Sequence, residues 1–180
     1  MISRRLFLIG LSATAVSACS TTRQPVVPEP VIDPYYLRMY GPIYNEPYPI
    51  AAMDLRRVDP KWWRQEVPYF TNERPGTIVV DTPAHYLYLV MEGGRALRYG
   101  IGVGKDEALV FRGNAVIGRK AEWPRWTPTR SMIEREPERY GPWAGGMGPG
   151  PENPLGPRAL YLYRDGRDTL FRIHGTTEPY

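Results

Sequence analysis

Residues 158–176 read Arg158-Ala159-Leu160-Tyr161-Leu162-Tyr163-Arg164-Asp165-Gly166-Arg167-Asp168-Thr169-Leu170-Phe171-Arg172-Ile173-His174-Gly175-Thr176. Two runs rich in aliphatic, β-branched and aromatic residues, 158–163 and 168–173, flank Asp165-Gly166, a strong hairpin signal. His174 terminates the second strand. Upstream, Thr77-Ile78-Val79-Val80-Asp81 and His85-Tyr86-Leu87-Tyr88-Leu89-Val90-Met91 carry the same β pattern, Glu92-Gly93-Gly94 supplies a turn, and residues 96–103 return. A further strand is expected over 115–121. One short helix fits between Thr129 and Tyr140, with Thr129 as cap and Pro137 limiting its length. Residues 141–157 hold six glycines and five prolines and read as a long loop, of the kind that is often functional. The fold expected is therefore mainly β.

The segment 20–76 is rich in proline and tyrosine, and Pro25, Pro28, Pro30, Pro34, Pro42, Pro47 and Pro49 are expected to break any helical period. Its start reads as a tether. Its later part carries Trp62, Trp63, Tyr69 and Phe70, too aromatic to be left in water, and is expected to be an arm packed on the domain that follows.

Arg4 and Arg5 precede an apolar stretch over 6–18, the layout of a signal peptide. Those 13 residues are too few for a span, which needs about 20. Ser3-Arg4-Arg5-Leu6-Phe7-Leu8 resembles the twin-arginine export motif, without its trailing Lys. Val16-Ser17-Ala18-Cys19 resembles a lipobox, which would make 1–19 the signal peptide and Cys19 a lipid anchor in the membrane. Cleavage after Ala13-Thr14-Ala15, leaving Cys19 incidental, is the alternative.

The formal charge of +4 falls to 4 − 2 = +2 without Arg4 and Arg5, too balanced for a nucleic-acid partner. Cys19 is the sole cysteine, so no intrachain disulfide forms, and with only His85 and His174 beside it no metal site is expected. Gly145-Gly146-Met147-Gly148-Pro149-Gly150 lacks the Lys-Ser/Thr ending of a phosphate loop. No cofactor is expected. His85 is expected at a strand start facing solvent, Asp81 in local hydrogen bonds, and Glu134, Glu136 and Glu138 on a solvated helix face.

A lone histidine at a strand end is more often structural than catalytic. Its neighbours point elsewhere. Ile173-His174-Gly175-Thr176, preceded by Asn153-Pro154-Leu155-Gly156 and Arg158-Ala159-Leu160-Tyr161-Leu162, resembles the L,D-transpeptidase catalytic domain of the YkuD type. Ile78-Val79-Val80-Asp81, Tyr86-Leu87-Tyr88-Leu89, Tyr99-Gly100-Ile101-Gly102-Val103-Gly104 and Trp123-Pro124-Arg125-Trp126-Thr127-Pro128 are similar to that family in the same order, so the resemblance covers about residues 77–180. It implies an L,D-transpeptidase-like β-sandwich that cross-links peptidoglycan stem peptides in the periplasm or cell envelope. A cysteine thiolate attacks the bond after an L-centre residue, usually diaminopimelate, and releases D-alanine, and the acyl-enzyme passes to an amine. His174 takes the place of the family's base. Gly175, Thr176 and Trp126 are the implied substrate-binding residues, although Trp126 reads equally well as core.

The family carries Ser-x-Gly-Cys-x-Arg shortly after this histidine, and residues 1–180 do not contain it. The expectation is an incomplete domain over 77–180 without its last strands, inactive by itself: a fragment or frameshift product, or a degenerate relative. A non-catalytic peptidoglycan-binding or structural envelope lipoprotein is the alternative, and a hydrolase using water as acceptor a third reading.

Overall fold

Antiparallel pairing, in part through short turns, organises the strands of residues 65–174 into two sheets. The computed structural model describes residues 31–104, 109–176 and 180. The expected export segment, Cys19 and the start of the expected tether lie outside the described residues. Residues 32–180 form one unit.

The first sheet has the order β1-β4-β3-β2, from β1 (Gln65–Pro68), β2 (Ile78–Asp81), β3 (Tyr86–Met91) and β4 (Arg95–Gly100). Gly93 and Gly94, at φ 72° and 68°, turn β3 into β4, a backbone that costs glycine little. The second sheet has the order β5-β6-β7, from β5 (Val116–Glu122), β6 (Arg158–Arg164) and β7 (Arg167–His174). Asp165 and Gly166 both take positive φ, 50° and 73°, and close the β6–β7 hairpin. The chain is thus mainly β, as its β-branched and aromatic runs led us to expect, and has two sheets, as the family resemblance implied. Leu87, Val90 and Ala96 are buried in the first sheet, Ala159 and Tyr161 in the second.

Thr129 caps α2 (Arg130–Arg135), its hydroxyl accepting from the Met132 N–H at 3.3 Å, and Pro137 then opens the short α3 (Pro137–Tyr140). A helix the proline content argued against lies in the arm. In α1 (Pro34–Met39), Pro34 starts the helix where its missing N–H costs nothing, and Asp33 accepts from the Tyr35 N–H at 2.7 Å. Asp59-Pro60 repeats the device in a single 3-10 turn over Pro60–Trp62, and Asp54 caps another over Leu55–Arg57.

The arm has a small core of its own, in which Leu55, Val58 and Trp63 are buried and Ile32, Tyr36, Tyr40 and Met53 pack against them. Trp63 donates its indole N–H to the Val58 carbonyl at 2.9 Å. Beyond that core the arm enters the first sheet, since β1 pairs with β4 from Gln65↔Arg98 to Pro68↔Arg95. Trp62 lies over Gly100, where a Cβ would come within 2.7 Å of the Trp62 carbonyl oxygen, and its ring meets Tyr86 at 5.1 Å. Tyr69 stacks on Tyr88 at 4.5 Å, whereas Phe70 is 89 % exposed. The Asp54 N–H donates to the Tyr180 hydroxyl at 3.0 Å, and the Arg57 guanidinium stands 3.7 Å over the Tyr180 ring.

Candidate active site

His174 is the last residue of β7, opposite Ala159 of β6, and its imidazole is exposed. Its Nδ1 lies 2.6 Å from the Gly175 carbonyl oxygen. A carbonyl oxygen only accepts, so this contact makes Nδ1 the protonated nitrogen and leaves Nε2 of the neutral ring with a free lone pair. That tautomer is the one a proton acceptor needs.

What holds this end of β7 is the preceding loop. The Gly175 N–H donates to the Arg158 carbonyl at 3.2 Å, and Gly156, at φ 61°, approaches so closely that a Cβ there would stand 3.3 Å from the Gly175 carbonyl carbon. Glycine is needed at 156 for both its dihedral and the close approach. The loop is in turn fastened by Asn153, which is 1 % exposed. Its Nδ2 donates to the carbonyls of Pro124 and Gly148, each at 2.9 Å, and its Oδ1 accepts from the Leu155 N–H at 2.9 Å. All three side-chain bonds are to backbone, so one amide joins three turns of irregular chain where no ladder does so. Leu155 is buried beside it.

Trp126 meets the same loop at Met147, exchanging backbone hydrogen bonds with it at 3.0 and 2.7 Å, with its ring 6.1 Å from Tyr140. It is half-buried. Gly175 and Thr176 continue directly from His174, Gly175 half-buried and Thr176 exposed. The structure therefore brings His174 and Gly175 together with the 153–158 segment, while Trp126 is joined to them through Asn153. Sequence reasoning quoted Asn153 within a block and gave it no role, because nothing local to an Asn-Pro pair reveals that its amide will be buried.

A second tie comes from the arm. Glu46 lies in the loop closed by the Ile43↔Ile50 bridge, and its carboxylate accepts from Arg158 at 2.6 and 3.2 Å and from the Trp123 indole N–H at 2.8 Å. Tyr48 packs on the Trp123 ring at 4.8 Å. Trp123 holds φ 41°, a strained value for a bulky residue, and is pinned at its backbone by the Trp123 N–H to the Pro157 carbonyl, 2.8 Å. The Arg158 guanidinium, and after it the Trp123 indole, hold the Glu46 carboxyl below the usual glutamate range. No local pattern linked Glu46 to Arg158, which are 112 residues apart.

Of the remaining predicted roles, Asp81 accepts from the Ala84 N–H at 3.0 Å, His85 is exposed at the start of β3 with φ 58°, and Glu134 pairs with Arg130 at 2.7 Å. Among the described residues no group of three His, Cys, Asp or Glu side chains could hold a metal, and no helix is long and apolar enough to cross a membrane.

The profile of the YkuD L,D-transpeptidase catalytic domain matches residues 75–180. The chain belongs to that family. The chain is also similar to curated proteins named as L,D-transpeptidases. The "Putative L,D-transpeptidase in ATP synthase subunits region ORF 5" of Fuscovulum blasticum is 37 % identical over 115 residues, covering 63 % of this chain and 54 % of that protein. The "Probable L,D-transpeptidase YbiS" of Escherichia coli K12 is 34 % identical over 103 residues, 55 % of this chain and 31 % of that one. The chain thus spans about half or less of the curated relatives it matches. A crystal structure described as a probable carnitine operon oxidoreductase caia from Brucella melitensis is similar at a TM-score of 0.59 and 51 % identity, over 71 % of this chain and 78 % of that one.

Asn153→Ala would leave buried carbonyls and an N–H without partners, at about 1–3 kcal/mol for an orphaned group. We expect a loss of about 2–3 kcal/mol in urea unfolding, with faster amide exchange at Gly175. Unchanged exchange there would show that Asn153 does not support the His174 segment. Because the Glu46 carboxyl is depressed in the fold, its contribution is complete above the unfolded glutamate value and is lost as pH falls through the lower folded value. Acid titration of tryptophan fluorescence should therefore show the arm contact persisting through the usual glutamate range and failing only below it. Glu46→Gln should abolish that acid transition.

Proposed function

We propose that the whole protein is a peptidoglycan L,D-transpeptidase, exported to the periplasm or cell envelope and anchored to membrane lipid through Cys19. In the reaction a cysteine thiolate attacks the carbonyl that follows the L-centre of diaminopimelate. D-alanine leaves with a proton, and the thioester carbonyl is attacked by an amine of a second stem peptide, which frees the thiol again. A thiol is mostly protonated near its ordinary pKa of about 8.5, so the step needs a base beside it. The reading rests on one observation: in a chain of this family, His174 presents an imidazole whose Nδ1 is committed to the Gly175 carbonyl and whose Nε2 is free to take that proton. Gly175 and Thr176 then border the reacting carbonyl, and Trp126 a more distant part of the peptide. The oxidoreductase description belongs to the Brucella protein, and nothing in the His174 segment calls for it.

Cys19 is the only cysteine in these 180 residues and stands in the export segment. We infer that these residues acting alone complete no acyl transfer. A second reading is a peptidoglycan-binding envelope lipoprotein without turnover. Reading the gene beyond codon 180 in all three frames separates them: a Ser-x-Gly-Cys-x-Arg segment supports the transpeptidase, and its absence supports the binding protein.

The purified 180-residue chain is expected to show no covalent adduct with a carbapenem by intact-mass spectrometry, because acylation requires the thiolate. A stoichiometric adduct would overturn the inference of inactivity. Cys19→Ala is expected to move the protein from the membrane fraction to the soluble one, since the lipid supplies the anchor. Unchanged fractionation would rule the anchor out.

A further inference from the structure

The second sheet carries two irregularities, and both converge on Tyr161. In β5 the register shifts between Ile117 and Arg119, past Gly118, where a Cβ would stand 2.5 Å from the Tyr163 ring. In β7 it shifts opposite the Tyr161–Tyr163 step, where Leu170 takes φ 65°. The first regular partners beyond the two bulges are Arg119 and Arg172, and both pair with Tyr161. Bulges re-aim side chains, and here they bring two guanidinia onto one ring from the strands on either side, 3.6 and 4.1 Å from its centroid. Tyr161 is 5 % exposed beneath them.

The charges do not cancel. Asp168 accepts from Arg172 through both oxygens, at 2.8 and 2.9 Å. Arg119 is exposed and, among the described residues, no carboxylate hydrogen-bonds to it. Stacking uses the face of the Arg119 guanidinium and leaves its in-plane N–H fork for a carboxylate to bind bidentately, whereas the fork of Arg172 is taken by Asp168 and the Phe171 carbonyl. Cross-strand partners share a sheet face, as do alternate residues of a strand, so Arg119, Tyr161, Arg172 and Ala159 lie on the face that carries His174. Arg172 precedes His174 by two residues, a rise of about 7 Å.

We propose that Arg119, stacked on Tyr161 beside the Asp168-held Arg172, forms a carboxylate-binding subsite for the ligand whose reacting carbonyl lies at His174. The subsite rests on the stem-peptide reading above. In that ligand a free carboxylate occurs at the end of the diaminopimelate side chain and at the terminal D-alanine. Asp168 has a supporting part: partial burial would raise its carboxyl, but the Leu170 N–H and Arg172 outweigh this and hold it below the usual aspartate range, so it stays ionised and fixes Arg172.

The test is calorimetric titration of the 180-residue chain with three forms of the stem tetrapeptide: the free acid, the form amidated at the diaminopimelate side chain, and the form amidated at the terminal D-alanine. One amidated form is expected to bind about tenfold more weakly than the free acid, the scale of a lost charge-assisted pair, and which one it is identifies the carboxylate. Arg119→Gln, at an exposed position, should keep the unfolding transition and bind all three forms equally at the weaker level. Arg119→Lys should keep part of the preference, as a point donor without the fork. Equal binding of all three forms by the unaltered chain, or an undiminished preference in Arg119→Gln, would overturn the subsite while leaving the stem-peptide reading in place. Binding of none of the three by the unaltered chain would overturn that reading and the subsite with it.

Discussion

A single buried amide ties the candidate site to the sheets. Asn153 is placed where no ladder supplies partners, in a glycine- and proline-rich loop, and bonds carbonyls on the turn before α2 and within the loop itself while it receives the Leu155 N–H. Without those bonds, burial of Leu155 and the approach of Gly156 to Gly175 would be opposed by chain entropy with fewer contacts to offset it. Because the bonds are to backbone, the amide specifies position more than side-chain identity around it, and the exposed His174 inherits that position through Gly175.

Rigid support beneath and an open imidazole above is the arrangement a proton acceptor requires. His174 makes its hydrogen bond to the carbonyl of its own neighbour, so the tautomer is set locally by backbone and needs no carboxylate to set it. The strain in the vicinity is carried elsewhere, at Trp123 and Leu170, whose positive φ values are held by the Glu46 and Pro157 contacts in one case and by the Asp168 carboxylate in the other.

The arm is more than a spacer before the sheets. Its aspartate-proline pairs start turns where the prolines alone suggested unbroken irregular chain, and its aromatic residues Trp62 and Tyr69 pack on the first sheet over Gly100 and Tyr88. Glu46 then reaches the second sheet through Arg158, a bidentate bond that a short charged side chain can make only when both backbones are already in place.

Local pattern determined the elements built from neighbours. Runs of aliphatic, β-branched and aromatic residues marked β2 to β7, Asp165-Gly166 marked the hairpin because two successive positive φ values suit few other pairs, and the ordered blocks around Ile173-His174-Gly175-Thr176 marked the family. Only the tertiary structure decided that residues 65–68 form an edge strand, since four residues ending in proline carry no periodicity and gain their bonds solely from β4. It alone brought Glu46 to Arg158, sank Asn153, and set Arg119 and Arg172 on Tyr161, because each depends on where chain distant in sequence comes to rest.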